Sequence, residues 1–112
     1  MKITAVIVAG GKGTRMGADK NKVFLKILGR EVLYYTISAF EKNDKIDDII
    51  VVTGKNDIEE CKILVDKYDI KKVSYITEGG TTRQESVMNG LKKAEGDIVL
   101  IHDGERALVT DD

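Results

Sequence analysis

The sequence predicts an α/β fold, a three-layer, Rossmann-like parallel sheet, and two observations carry that prediction. Short, nearly continuous apolar runs rich in β-branched residues recur along the chain and read as buried strands. Segments with apolar residues at helical spacing separate them, giving the alternation β-α-β-α-β-α-β. Parallel strands joined by right-handed crossovers are the arrangement that such an alternation implies. The 112 residues suffice for one core, so 1–112 form a single domain.

In chain order, residues 3–9 form the first strand, ending at a glycine. Residues 31–42 form a helix with Val32, Leu33, Tyr35, Thr36, Ala39 and Phe40 on one side. Residues 48–53 form the second buried strand, closed by Gly54. A helix over 57–68 follows, with Ile58, Cys61, Leu64, Val65 and Tyr68 on its apolar face. Residues 72–77 form a third, weaker strand. The third helix, 81–94, turns Val87, Leu91 and Ala94 inward, and 97–101 is the fourth strand. The expected spatial order is 3-2-1-4, with the reversal between the first and fourth strands.

Composition excludes several classes. The chain is 42% apolar and 33% charged, ordinary for a folded soluble domain. A net charge of −1 gives no basic excess for nucleic acid or a membrane surface. Apolar runs such as 49–52 and 98–101 are far too short to span a bilayer. The opening MKITAVIVAGGKG reads directly into a strand and a glycine loop, not a signal peptide. Cys61 is the single cysteine, so a reducing, cytoplasmic setting is expected. It falls on the apolar stripe of its helix and reads as core. Proline is absent, where average usage would give roughly five or six.

In parallel α/β sheets ligands bind beyond the carboxyl ends of the strands, so the loops leaving those ends matter most. The stretch AGGKGTRMG can cradle a phosphate: Gly10, Gly11 and Gly13 let backbone amides approach, while Lys12 and Arg15 supply countercharge. It matches neither the P-loop nor the dinucleotide fingerprint, and a plain glycine turn is the alternative. Lys22 precedes the apolar anchor Val23-Phe24-Leu25, which can hold its ammonium over a phosphate; a free surface lysine is the competing reading. EGGTTRQES brings two glycines, two threonines, Arg83 and Ser86 to a helix start, suited to reading a base edge or an anion. Simple capping by Thr81 or Thr82, with Gln84 or Glu85 in the first turn, explains the same residues. Asp103, just past the fourth strand, suits Mg²⁺ or a cap, and His102 reads as a local hydrogen-bonding residue.

Taken together, AGGKGTRMG…KNKVFL, EGGTTRQESVMNGL and VLIHDGER resemble the 2-C-methyl-D-erythritol 4-phosphate cytidylyltransferase family, over essentially the whole chain. The ribitol-5-phosphate cytidylyltransferases share much of the pattern. The resemblance implies transfer of CMP from CTP to a sugar-alcohol phosphate, with Mg²⁺ and release of pyrophosphate, in isoprenoid precursor synthesis. It places Ala9, Gly10, Gly11 and Gly13 at the triphosphate and makes Arg15 and Lys22 the catalytic basic pair. Gly80, Thr81 and Ser86 fall where the family recognises cytosine and the nearby ribose, and Arg83 matches an arginine of that motif. Asp103 corresponds to a metal-holding aspartate and Arg106 to an arginine near the sugar phosphate.

The chain also departs from the family pattern. Members are longer, and their second half supplies another metal aspartate, an acceptor lysine, further strands and a dimerising arm. Family prolines are replaced by Asn21, Lys26 and Ala107. The expectation is therefore a nucleotide-binding half-domain, weakly active or inactive alone. An engineered or reconstructed structural half-domain without measurable ligand binding is the alternative. A site completed across a dimer, with Asp111 or Asp112 from a second copy, is a third. The fourth strand becomes an exposed apolar edge in the order 3-2-1-4, so a homodimer or higher oligomer is expected through it.

Overall fold

Ile3–Val8 (β1) is the strand around which the molecule is built, with five of its six residues buried. A computed structural model of the chain describes residues 1–9, 26–27 and 29–103. Parallel partners flank β1 on both sides: Asp48–Thr53 on one and Ile98–Asp103 on the other. A strand so placed has no face or edge in water, which is why its sequence is almost wholly apolar.

The chain then forms a hairpin of Lys26–Ile27 (β2) and Arg30–Glu31 (β3), whose turn places Gly29 at φ 86°. Helix Val32–Glu41 (α1) leads to Asp48–Thr53 (β4), and a 3-10 turn, Lys55–Asp57, leads into Ile58–Lys67 (α2). Val73–Glu78 (β5), Arg83–Lys93 (α3) and Ile98–Asp103 (β6) complete the described elements. The main sheet runs β5-β4-β1-β6, all parallel. The sheet has the expected four parallel strands, but the expected numbering 3-2-1-4 is corrected to 5-4-1-6. Two short strands intervene and pair antiparallel in a sheet of their own. Two-residue strands carry no periodicity, so no pattern revealed them.

Two apolar layers sandwich the sheet. On one face Ala5, Ile7, Ile49 and Val51 pack with Leu33 and Ile37 of α1 and with Cys61 and Leu64 of α2. On the other, Val6, Val8, Ile50 and Val52 pack against Val87 and Ala94. Helix α3 approaches this face very closely: a methyl group at Gly90 would lie 2.6 Å from Val6 Cγ1 and 2.9 Å from Val52 Cγ2. Its innermost residues are thus Ser86 and Gly90, while Leu91, expected inward, is 38% exposed. In α1 likewise Ile37 is buried and Ala39, expected inward, is exposed. The edge strands differ from the centre, and β6 leaves Ile98, Leu100 and Ile101 exposed.

Candidate functional site

The carboxyl ends of the four parallel strands form one rim. Asp103, the last residue of β6, lies in register with Val8 of β1. One residue on, Ala9 is buried and its N–H donates to the Val52 carbonyl of β4 at 2.7 Å. Beyond β4, the Gly79 N–H donates to the Thr53 carbonyl at 2.8 Å, carrying the rim to the end of β5. The chain proceeds from β1 to β4 and β5 on one side, then returns to place β6 on the other. The reversal between β1 and β6 is the crevice where such sheets bind ligands, with Ala9 and Asp103 on its two sides. The structure corrects Asp103's position, since it ends the strand instead of following it. His102 turns to the opposite face, its ring edge-on to Phe40 with centroids 5.3 Å apart.

Hydrogen bonds tie the loop from β5 to the first turns of α3. Thr82 is the N-cap, and its hydroxyl accepts from the Glu85 N–H at 3.1 Å. The Glu85 carboxylate reaches back to accept from both the N–H and the hydroxyl of Thr81, at 2.8 and 2.9 Å. Ser86, almost fully buried, accepts from the Gly80 N–H at 3.0 Å. The Asn89 side-chain amide donates to the Glu78 carbonyl at 2.9 Å, strapping the strand end to the helix. Side chains at Gly79 or Gly80 would run into Ser86 and Glu85, so both glycines are required by packing. Hydrogen bonds from the Thr81 N–H, the Thr81 hydroxyl and the Thr82 N–H hold the Glu85 carboxyl below the usual glutamate range, outweighing a smaller opposing effect of burial.

Gly80, Thr81, Arg83 and Ser86 are therefore brought together on one short segment, with Arg83 exposed as the first residue of α3. Ala9 and Asp103 are brought together across the β1–β6 pair. Asp103 lies three strands along the sheet from the β5 loop, about 14 Å at ordinary strand spacing. Gly10, Gly11, Gly13, Arg15, Lys22 and Arg106 lie outside the described residues. Asp103 suits Mg²⁺, which takes one or two carboxylates and completes its shell with water and substrate phosphate. The described residues group no three His, Cys, Asp or Glu into a cage, so a resident all-protein metal centre does not arise from them. Cys61 is core: burial first, then the Asp57 and Glu60 charges, push its thiol up to about 12. Sequence reasoning placed Glu85 in the first turn but missed its hold on Thr81. The Thr82-x-x-Glu85 spacing was the available signal.

The sequence model of the 2-C-methyl-D-erythritol 4-phosphate cytidylyltransferase family matches residues 3–112. The enzyme of that name from Clostridium botulinum (strain Langeland / NCTC 10281 / Type F) is 49% identical over 99% of this chain and 49% of its own length. That from Clostridium kluyveri (strain NBRC 12016) is 51% identical over 96% of this chain and 47% of its own. The crystal structure of 4-diphosphocytidyl-2C-methyl-D-erythritol synthase from Anaerococcus prevotii superposes with TM-score 0.77 at 36% identity, over 96% of this chain and 44% of that one. The chain spans about half the length of the curated relatives it matches. A family match over almost every residue, a sheet shared with a solved relative and the three motifs in order lead to one assignment: the chain belongs to the 2-C-methyl-D-erythritol 4-phosphate cytidylyltransferase family.

Proposed function

We propose that this chain is the nucleotide-binding half of a cytidylyltransferase. It binds CTP with Mg²⁺, and in a protein of the relatives' length it transfers CMP to 2-C-methyl-D-erythritol 4-phosphate in isoprenoid precursor synthesis. The observation that supports this most is the rim itself: Ala9 and Asp103 flank the sheet reversal while a hydrogen-bonded Gly80–Ser86 segment stands at its far side. In this reading an acceptor phosphate oxygen attacks the α-phosphorus of CTP, the bond to the β-phosphate bridging oxygen breaks, and pyrophosphate leaves with that electron pair. Ala9, Gly10, Gly11 and Gly13 line the triphosphate, and Arg15 and Lys22 stabilise charge on the five-coordinate phosphorus. Gly80, Thr81, Arg83 and Ser86 receive the cytidine, and Arg106 meets the sugar phosphate. Asp103 would hold Mg²⁺, which would neutralise charge on the triphosphate.

The setting is cytoplasmic in this reading, with no nucleic-acid or membrane partner. Among the described residues no helix is long and apolar enough to cross a membrane. Self-association through β6 belongs to the same proposal.

Amide-resolved NMR titration of the chain with CTP and Mg²⁺, against ATP and Mg²⁺, tests it. Saturable shifts over 79–86 and 9–22 with CTP preferred are expected. Equal response to both nucleotides, or none at millimolar concentration, overturns it. One observation favours the second reading, a structural half-domain without a ligand: the Gly80 and Thr81 amides already have partners within the loop. The same titration separates the two.

A further inference from the structure

Beside β5, at the edge of the main sheet, lies a groove of about 330 Å³. One wall is the edge strand itself, residues 73–76, and the other is Lys62, Val65 and Asp66 of α2. An edge strand turns half of its backbone N–H and C=O groups outward, where another extended segment can pair with them. A bulge near the start of β5 skips Ser74, whose hydroxyl donates to Asp48 Oδ2 at 3.2 Å. From Tyr75 to Glu78 the register with β4 is unbroken.

The charges on the helix wall are the more selective feature. Lys62 and Asp66 are exposed, opposite in sign and one helical turn apart. Neither side chain forms an ion pair or hydrogen bond among the described residues. Four helical residues rise about 6 Å, and alternate residues of a strand stand about 6.6 Å apart. A carboxylate and a cation two residues apart on an added strand therefore meet both charges at once, their aliphatic stems lying over Val65. The residue between them points to the other face of the sheet. There Tyr75, opposite Ile50 of the α3-side layer, is 46% exposed, with Lys93 Nζ 5.3 Å from its ring centroid. An apolar residue suits that place. Helix α2 runs opposite to the parallel strands it connects, so Lys62 lies towards the end of β5 and Asp66 towards its start. For a strand added antiparallel to β5, the better-bonded arrangement, the matching order is acidic, apolar, basic.

We propose that this groove binds an extended peptide of a partner protein as a fifth strand of the main sheet, selecting the sequence acidic–apolar–basic. The site stands apart from the nucleotide reading. It follows the first half of β5, whereas the rim begins beyond the strand's other end, at Gly79.

The test is an amide-resolved NMR titration of the chain with the peptide Thr-Glu-Val-Lys-Thr, blocked at both ends. Thr-Lys-Val-Glu-Thr and Thr-Gln-Val-Gln-Thr are the controls, and no nucleotide is present. Saturable shifts centred on 62–66 and 73–78 are expected with the first peptide at millimolar concentration. Its affinity should exceed that of the glutamine peptide about fivefold, the worth of two exposed ion pairs. The double variant Lys62→Glu, Asp66→Lys exchanges the two charges at exposed positions. It is expected to keep the melting temperature of the unchanged chain and to prefer Thr-Lys-Val-Glu-Thr. Absence of saturable shifts with every peptide, or one affinity for all three, overturns the proposal. A preference that the double variant leaves as it was overturns the part given to Lys62 and Asp66. Shifts of the same residues on raising protein concentration without peptide put a second copy in the groove, and that too overturns it.

Discussion

Glu31 shows how one side chain can join distant parts of the chain. It ends β3, is nearly buried, and accepts from Lys67 Nζ at 3.0 Å and from the Tyr68 hydroxyl at 2.8 Å. Tyr68 in turn packs on Tyr34, their ring centroids 4.2 Å apart, so the hairpin, α1 and the end of α2 meet at one carboxylate. Burial pushes the Glu31 carboxyl up, but its own backbone amide, Tyr68 and Lys67 together prevail and hold it below the usual range. A carboxyl depressed in the folded state contributes stability above its unfolded value, about 4.3, and loses that contribution as pH falls through the lower folded value. Glu31→Gln is therefore expected to cost about 1–2 kcal/mol at pH 7, less than a fully buried pair because Lys67 is half exposed. The difference should shrink as urea titrations are repeated from pH 5 towards pH 3. A difference that stays constant over that range would show that the carboxylate charge plays no part.

At the scale of elements, close approach between helix and sheet decides which residues face inward. Gly90→Ala should gain about 1 kcal/mol of helix propensity. The added methyl would nevertheless collide with Val6 and Val52, both fully buried in strands that cannot retreat. Overpacking of this kind costs about 1–3 kcal/mol, so a net loss of stability and a lower melting temperature are expected. Thermal unfolding of the variant checks it, and a raised melting temperature would contradict the packing argument. The same contact explains why hydrophobic periodicity misread α3. Where a helix lies this close, small residues such as Ser86 and Gly90 fill the seam, and apolar patterning seeks large ones. The second strand, by contrast, was legible to the residue because Asp48 and Gly54 bracket a continuous apolar run. The fourth was cut short at Ile101. His102 and Asp103 are polar, yet the ladder with Ile7 and Val8 carries the strand through them to the rim. Near the candidate site, the cap at Thr82 and the place of Glu85 in the first turn of α3 were legible. The hold of Glu85 on Thr81 was signalled only by the Thr82-x-x-Glu85 spacing, since which donors the carboxylate takes follows from where the loop turns.

For the whole molecule the sheet's two edges are unequal in what they expose. Edge strand β5 is interleaved with polar residues, including Ser74, Thr77 and Glu78. On β6, Ile98, Leu100 and Ile101 are 40%, 43% and 38% exposed, and its outer backbone edge has no partner strand in the described sheet. An apolar strand with a free edge is a template for pairing, and natural sheets usually guard such edges with charge, proline or a bulge. Residues 98–101 carry no charge and no proline. Self-association of this chain through β6 is the expected consequence, visible in light scattering as a mass that rises with concentration. Leu100→Lys places a charge in the middle of the strand, beside Ala5 of β1, where pairing with a second copy would bury it. The side chain is already close to half exposed, so the folded monomer should tolerate the ammonium while the associated form does not. The variant is expected to remain monomeric with the far-UV spectrum of the unchanged chain. A monomer in the unchanged chain at millimolar concentration would refute the edge argument, and association persisting unaltered in Leu100→Lys would move the interface elsewhere.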